Sequence, residues 1–462
     1  MTEEERYDIL VIGSGEAGKY IAWTMAKAGH RTAVVERRYI GGSCPNIACL
    51  PSKNLIHSAR VASLFRRGSE FGIETGPVTI DMKAVQFRKR KMVEDLIEVH
   101  HKRYVESGAS LIMGEARFVS PKTVSVALND GGTRAIAGDR VVLNVGTRAA
   151  VPDIPGLADA KPLTHIEALD LERLPEHLVV LGGGYVGLEL AQAFRRFGSR
   201  VTVIEMGQQL AGREDADVAA AVHDLFKDEG IEVLLNSSVR GVEGRSGEEM
   251  QINVENIDGG RVIEATDFLV ATGRNPNTRD MGLELAGIDL DERGYVKVND
   301  RLETTAKGVY AVGDCTGGPQ FTHVAFDDFR VIRDNLNGVD RSTKDRLIPY
   351  VMFTDPELAR VGLNETEAKS RGIDYRAAHL PMAAVLRTRT TSEPRGFIKM
   401  LIATESDQIL GFTVFGAEAS EFMAVVQTAM LGELPYTMLR DGIFTHPTAA
   451  EGLTVLLADV TS

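Results

Sequence analysis

The sequence has little cysteine, three residues in 462. So few argue against a disulfide-stapled scaffold and for a reducing compartment. The cytoplasm is therefore the expected location, and a cysteine pair is expected to be catalytic. Long apolar runs are also missing: no window approaches the roughly 18 residues of a membrane span. Met1–Arg6 is acidic and passes at once into the apolar run Asp8–Ile12, a pattern that predicts no secretory leader. With a net charge of −13 and no basic stripe, nucleic acid is excluded as an expected partner. The run Arg88–Lys91, in a helix-like stretch reaching to about Tyr104, is read as a solvated face. No resident metal is expected.

What is present is an ordinary globular balance, 44% apolar and 25% charged, with 46 glycines. The length predicts two to four domains, and so much glycine predicts tight turns and close backbone approaches to ligands. Tyr7–Ile12 is a short apolar run ending in Gly13-Ser14-Gly15-Glu16-Ala17-Gly18. A helix-like stretch to about Ala28 and a second run, Arg31–Val35, follow, closing on Glu36. This is a βαβ dinucleotide fingerprint. Gly13, Gly15 and Gly18 would admit a pyrophosphate at a helix N-terminus, and Glu36 would accept from a ribose hydroxyl.

The unit recurs. Leu178–Leu181 leads into Gly182-Gly183-Gly184-Tyr185-Val186-Gly187, and Val201–Ile204 ends on Glu205. The same 23-residue offset separates Gly13 from Glu36 and Gly182 from Glu205, an internal repeat that predicts two bound dinucleotides. The economical pair is a flavin and a nicotinamide, which predicts hydride and electron transfer. Pro152–Gly156 marks the passage to the second domain, and Ala271-Thr272-Gly273-Arg274-Asn275-Pro276 the return. Gly308–Val312 reads as a strand ending at Gly313-Asp314-Cys315. There Asp314 either reaches a cofactor hydroxyl or caps a helix.

Between the fingerprints lies Gly41-Gly42-Ser43-Cys44-Pro45-Asn46-Ile47-Ala48-Cys49-Leu50-Pro51-Ser52-Lys53. Two cysteines at this separation can meet across one helical turn, and a helix N-terminus favours thiolate. The alternative is a pair of unrelated buried cysteines packed as small hydrophobes. A last constellation is Thr445-His446-Pro447-Thr448-Ala449-Ala450-Glu451. There a carboxylate could fix the tautomer of a histidine able to shuttle a proton near neutral pH.

These motifs, in register over the whole length, resemble the pyridine nucleotide–disulfide oxidoreductases, which include dihydrolipoamide dehydrogenase, glutathione reductase and mercuric reductase. The resemblance implies an α/β fold with two Rossmann-like dinucleotide-binding domains and a C-terminal α+β dimerisation domain. Residues 1–150 and 273–345 would bind FAD, 151–272 would bind NAD(P), and 346–462 would form the dimer interface. Cys44 would meet substrate, and Cys49 would stand against the flavin. Lys53 would lie by the flavin and pair with Glu189. Tyr185 would cover the nicotinamide pocket, and Asp314 would hold the ribitol. Gly42, Ser43 and Gly146 join the flavin set; Gly184, Gly187, Glu205 and Gly273 join the dinucleotide-binding set. His446 and Glu451 would face Cys44 from the partner subunit, so the active enzyme would be a homodimer.

Glu205 and Ala211 stand where NADPH-specific members carry arginines, so NADH is expected; the nearby Arg213 keeps NADPH open. Ser43 and Ala48 replace a usual threonine and glycine. The tail Leu457–Ser462 has no cysteine pair, which speaks against efficient mercury reduction. Gly313–Thr322 and Leu434–Pro447 are more similar to the mercuric-reductase-like branch that contains a reactive-chlorine-resistance flavoprotein. That branch implies reduction of a small oxidant, such as hypothiocyanous acid, or of a metal ion. The alternatives are dihydrolipoamide dehydrogenase, whose usual His-Ala is here Phe444-Thr445, a mercuric reductase, and a non-enzymatic flavin-binding redox sensor.

Overall fold

A computed structural model describes residues 4–257 and 259–460. The first three residues of the acidic N-terminus and the last two of the tail lie outside the described residues. The chain folds as two compact units. One takes the residues up to Asn54, Ala84–Ala150 and Gly273–Arg346; the other takes Leu55–Lys83, Val151–Thr272 and the residues from Leu347. Two of the passages between the units, after Ala150 and after Thr272, lie at the turn-rich stretches seen in the sequence. No helix among the described residues is long and apolar enough to cross a membrane.

In the first unit the strands Ser110–Ser120, Thr32–Glu36, Glu5–Ile12, Thr133–Leu143 and Val309–Ala311 lie side by side in parallel. The short strand Thr123–Leu128 runs antiparallel to both Ser110–Ser120 and Thr133–Leu143. Every residue of Thr32–Glu36 is buried, as expected of a parallel strand covered on both faces. The helix Glu16–Lys27 covers one face with Ala17, Ile21, Ala22 and Met25. The run Arg88–Lys91 belongs to the helix Met82–Ser107 and is not a uniformly solvated face. Arg88, Arg90 and Lys91 are exposed, but Lys89 is buried, because its side of the helix turns inward with Gln86.

The second unit repeats the parallel arrangement in smaller form, in the order Asp267–Val270, His177–Leu181, Arg200–Ile204 and Glu232–Leu234. Its helix Tyr185–Phe197 stops because Gly198 takes φ +125°, which lets Gly198 and Ser199 donate back to Phe194, a left-handed helix terminus that suits glycine. The unit also holds a three-stranded antiparallel sheet, Ser238–Gly244, Met250–Asn256 and Gly259–Ala265, and a five-stranded antiparallel sheet, Pro349–Met352, Glu357–Gly362, Ile409–Gly416, Phe397–Ala403 and Tyr375–Pro381. The helix Ala419–Leu431 buries Phe422, Met423 and Val426 in a core shared with Ile398, Met400 and Phe412 of that sheet. On the same sheet Lys399 is buried, with its ammonium 2.8 Å from Asp215, 2.9 Å from Asp217 and 2.9 Å from Glu365. A buried cation is tolerable only with such partners, so this cluster fastens the segment after the second fingerprint to the C-terminal sheet.

Candidate active site and nucleotide-binding loops

The first fingerprint folds as strand, turn and helix. Gly13 takes φ +97°, and a methyl group there would lie 2.3 Å from the Asn144 carbonyl. One at Gly18 would lie 2.4 Å from the Gly13 carbonyl, so these glycines are demanded by close packing of turn and helix. Asn144 follows the strand Thr133–Leu143, and its side chain accepts from Gly18 N at 2.9 Å and donates to Val312 O at 3.3 Å. Glu36 is buried, with one oxygen accepting from Ser14 N and Oγ and the other from Arg38 N and Tyr39 N, at 2.8–3.0 Å. The carboxylate therefore also fastens its own loop.

Gly42 has φ +79° and ψ −166°, backbone open only to glycine, and a methyl group on it would lie 2.5 Å from Gly15 Cα. Its neighbour Gly41 packs against His100, whose Nδ1 would be 2.4 Å from a methyl group there. The His100 Nε2 lies 3.4 Å from the Lys19 ammonium, which pairs with Glu16 at 2.7 Å. Burial, with help from the charges of Lys19, Arg103 and His101, lowers the His100 pKa to about 4.

The cysteine pair departs from the expected geometry. Cys44 sits in a four-residue helix, Ser43–Asn46, and Cys49 opens a separate helix, Cys49–Arg66. The pair meets across the break between two helices, rather than across one turn of a single helix. Asn46 holds the first piece by donating to Ile40 O and Gly42 O at 2.9 and 2.7 Å. Both cysteines are half-buried thiols. The Cys44 thiol is pushed up, first by its hydrogen bond to Cys49, then by burial. A dithiol that shares one proton resists losing the second. Thr322, the first residue of the helix Thr322–Leu336, places its hydroxyl 3.2 Å from Cys49 Sγ and opposes the rise. The third cysteine, Cys315, is fully buried and pushed up to about 12 by burial, as befits a packing residue.

Asp314 is not a helix cap. It lies inside the short turn Gly313–Thr316, which Val312 caps, and accepts from Thr147 Oγ1 at 3.0 Å. Gly146 takes φ +62°, and its carbonyl accepts from Asn277 N. Lys53 lies one turn after Cys49, half-buried. In the second unit, Glu189 is buried on the helix Tyr185–Phe197, and its carboxylate accepts from Phe353 N at 2.8 Å.

In the second fingerprint Gly182 has φ +112° and Gly187 packs on the Gly182 carbonyl, where a methyl group would come within 2.2 Å. Glu205 accepts from Gly183 N and Gly207 N at 2.6 Å each. Around Gly184 nothing lies within 4 Å of an added methyl group, and the same holds for Gly273 at φ +125°. Ala211 donates back to the Gly183 carbonyl, and Arg213 is exposed. Tyr185 donates to Glu214 at 2.7 Å. His446 Nδ1 lies 2.9 Å from both carboxylate oxygens of Glu451. A carboxylate only accepts, so Nδ1 carries the proton and Nε2 is the ring's acceptor.

Two dinucleotide folds, a dithiol and a carboxylate-oriented histidine define a flavin- and nicotinamide-dependent oxidoreductase. The chain belongs to the pyridine nucleotide-disulphide oxidoreductase family, whose model matches residues 7–328, with the family's dimerisation domain matching residues 348–456. The family is FAD-dependent and uses a pyridine nucleotide. The chain is similar to the probable pyridine nucleotide-disulfide oxidoreductase RclA of Escherichia coli, 36% identical and covering 98% of this chain and 99% of that protein. It is also similar to a mercuric reductase of Acidithiobacillus ferrooxidans, 37% identical over 96% of this chain and 81% of that one. The solved Cu(II) complex of the HOCl-induced flavoprotein disulfide reductase RclA superposes with a TM-score of 0.90 at 35% identity, covering 99% of this chain and 100% of that one. Sequence reasoning had missed Asn144 and Thr322. Each sits at the end of an apolar run or the start of a helix, the positions from which a side chain can reach a neighbouring turn.

Proposed function

We propose that the chain acts as a cytoplasmic homodimer that spends NADH to reduce a small oxidant or a metal ion through Cys44 and Cys49. The observation that carries this is the adjacency of the two thiols, with the Thr322 hydroxyl on Cys49. The first fingerprint fits FAD: its glycines leave no room for side chains, Gly42 abuts Gly15, and Glu36 and Asp314 are acceptors for hydroxyl groups. When bound, FAD supplies two-electron transfer between the nicotinamide and the dithiol.

With a small oxidant as substrate, Cys44 thiolate attacks it and Cys49 then displaces the product by forming the Cys44–Cys49 disulfide, so two thiols are oxidised as the oxidant gains two electrons; with a one-electron metal ion such as Cu²⁺, two ions would be reduced for each disulfide formed. His446 of the second subunit, oriented by Glu451, takes the Cys44 proton and returns it to the leaving group. The exposed apolar side chains Leu431, Met438 and Ile443, which precede His446 in the sequence, support a dimer through this domain. Glu205, a carboxylate where a 2′-phosphate would have to sit, supports NADH over NADPH. A relative described as HOCl-induced and solved with Cu(II) supports a small oxidant or a metal ion. The mercuric reductases favour the metal ion as a second reading.

The test is anaerobic NADH titration of the holoenzyme, then turnover with hypothiocyanous acid, Cu²⁺, Hg²⁺, lipoamide and glutathione disulfide. Four electrons per FAD and one preferred acceptor are expected. Cys44→Ser should lower turnover on the order of a thousandfold; full turnover in that variant sinks the dithiol mechanism.

A further inference from the structure

Tyr185 begins the helix that follows the second fingerprint, yet what holds its hydroxyl lies elsewhere. The Tyr185 hydroxyl donates to Glu214 Oε1 at 2.7 Å. The other oxygen of Glu214 faces Arg360 Nε at 3.1 Å, and both side chains are almost wholly buried. Arg360 is itself immobilised. Its guanidinium donates to Glu367 at 2.9 Å and to Gly362 O at 3.2 Å, and it stacks over the Tyr350 ring at 4.8 Å. The backbone on either side of Glu214 is pinned as well: Asn364 donates to Arg213 O at 3.0 Å, and Asp215 accepts from Lys399, Glu365 N and Thr366. Burial pushes the Glu214 carboxyl up, while Arg360 and the Tyr185 hydroxyl hold it down.

Of the three groups only Tyr185 can move. Glu214 and Arg360 would each leave a buried charge unpaired by turning away, whereas Tyr185 is half-buried and gives up a single hydrogen bond. We propose that Glu214, oriented by Arg360, is a positioning residue that latches Tyr185 in a closed setting, so that the nicotinamide must break the Tyr185–Glu214 bond to enter. This rests on Tyr185 covering the nicotinamide pocket, as proposed from the family resemblance. The C-terminal sheet, through Arg360, then sets the affinity of the nucleotide domain for its cofactor.

The experiment is equilibrium binding of redox-inert tetrahydro-NADH to the FAD-loaded protein, wild type against Tyr185→Phe, Glu214→Gln and Tyr185→Ala. Tyr185→Phe keeps the ring and removes the latch, so the closed population falls and Kd should drop about tenfold. Glu214→Gln keeps a weaker acceptor and should give a smaller drop of about threefold. Should Glu214→Gln fail to fold, Tyr185→Phe alone decides. If Tyr185→Phe binds within twofold of wild type while Tyr185→Ala differs from it, the pocket assignment stands and the latch is wrong. If every variant binds like wild type, the pocket assignment falls and the latch with it. A purely structural role would lower Tm and leave Kd unmoved, which also overturns the latch.

Discussion

At Gly15 a methyl group would collide with the Asn144 amide at 2.7 Å, and Gly42 backs onto Gly15 itself; at Gly184, two places after the first glycine of the other fingerprint, it would meet nothing within 4 Å. The acids differ in the same sense. Glu36 is buried with four donors on its two oxygens, whereas Glu205 is half-exposed with two. The residue on the neighbouring strand end is Asn144 in one case and Ala271 in the other, so only the first loop has a side chain bracing its helix. One pattern of glycines thus serves two purposes. The first loop is walled by other parts of the chain, which suits a cofactor that stays; the second is left open, which suits one that comes and goes.

That contrast can be broken by substitution. Gly42→Ala should cost about 3–4 kcal/mol, the sum of a forbidden backbone setting and overpacking. The purified variant should emerge largely free of flavin, measured by absorbance after gel filtration; wild-type flavin content would abolish the contrast. The wall behind Gly41 should show itself in acid. His100 holds a pKa near 4 when folded against 6.5 when unfolded, so no penalty exists above pH 6.5. As pH falls from 6.5 to about 4, the unfolded chain takes up a proton that the folded one refuses, and stability drops by about 3 kcal/mol. Urea melts of wild type and His100→Gln between pH 7 and 4 should therefore diverge in slope, and parallel curves would remove His100 from the account. Asn144→Ala, which strands the Gly18 N–H, should cost about 2 kcal/mol and speed flavin loss on dilution. Gly184→Ala should cost under about 0.5 kcal/mol, leave flavin content intact, and alter only the NADH concentration needed for half-saturation.

Glycine and acid were readable at a fixed offset because a βαβ unit of given strand and helix length returns the chain to the same edge. The strands themselves were readable because buried parallel strands are continuous apolar runs. Asn144 was not, since it joins Gly18 from 126 residues away, and nothing local distinguishes it from a turn residue. Thr322 reaches Cys49 across 273 residues, equally beyond any periodicity. Pattern also misled in two places. The four-residue gap between the cysteines suggested one helical turn, but Pro45 and the break at Ile47 divide the segment into two helices. Likewise a run of four cations suggested a wet surface, although a helix must turn some of four successive positions inward, and Lys89 is the one buried here.

The cluster around Lys399 has a practical side. An amine that is almost fully covered and held protonated by three carboxylates cannot react with acylating reagents while the unit is closed. Surface lysines would label at once, and Lys399 only when the carboxylates part from it. Its labelling rate, followed by peptide mass, would therefore time the opening of that unit, an internal clock that needs no added probe.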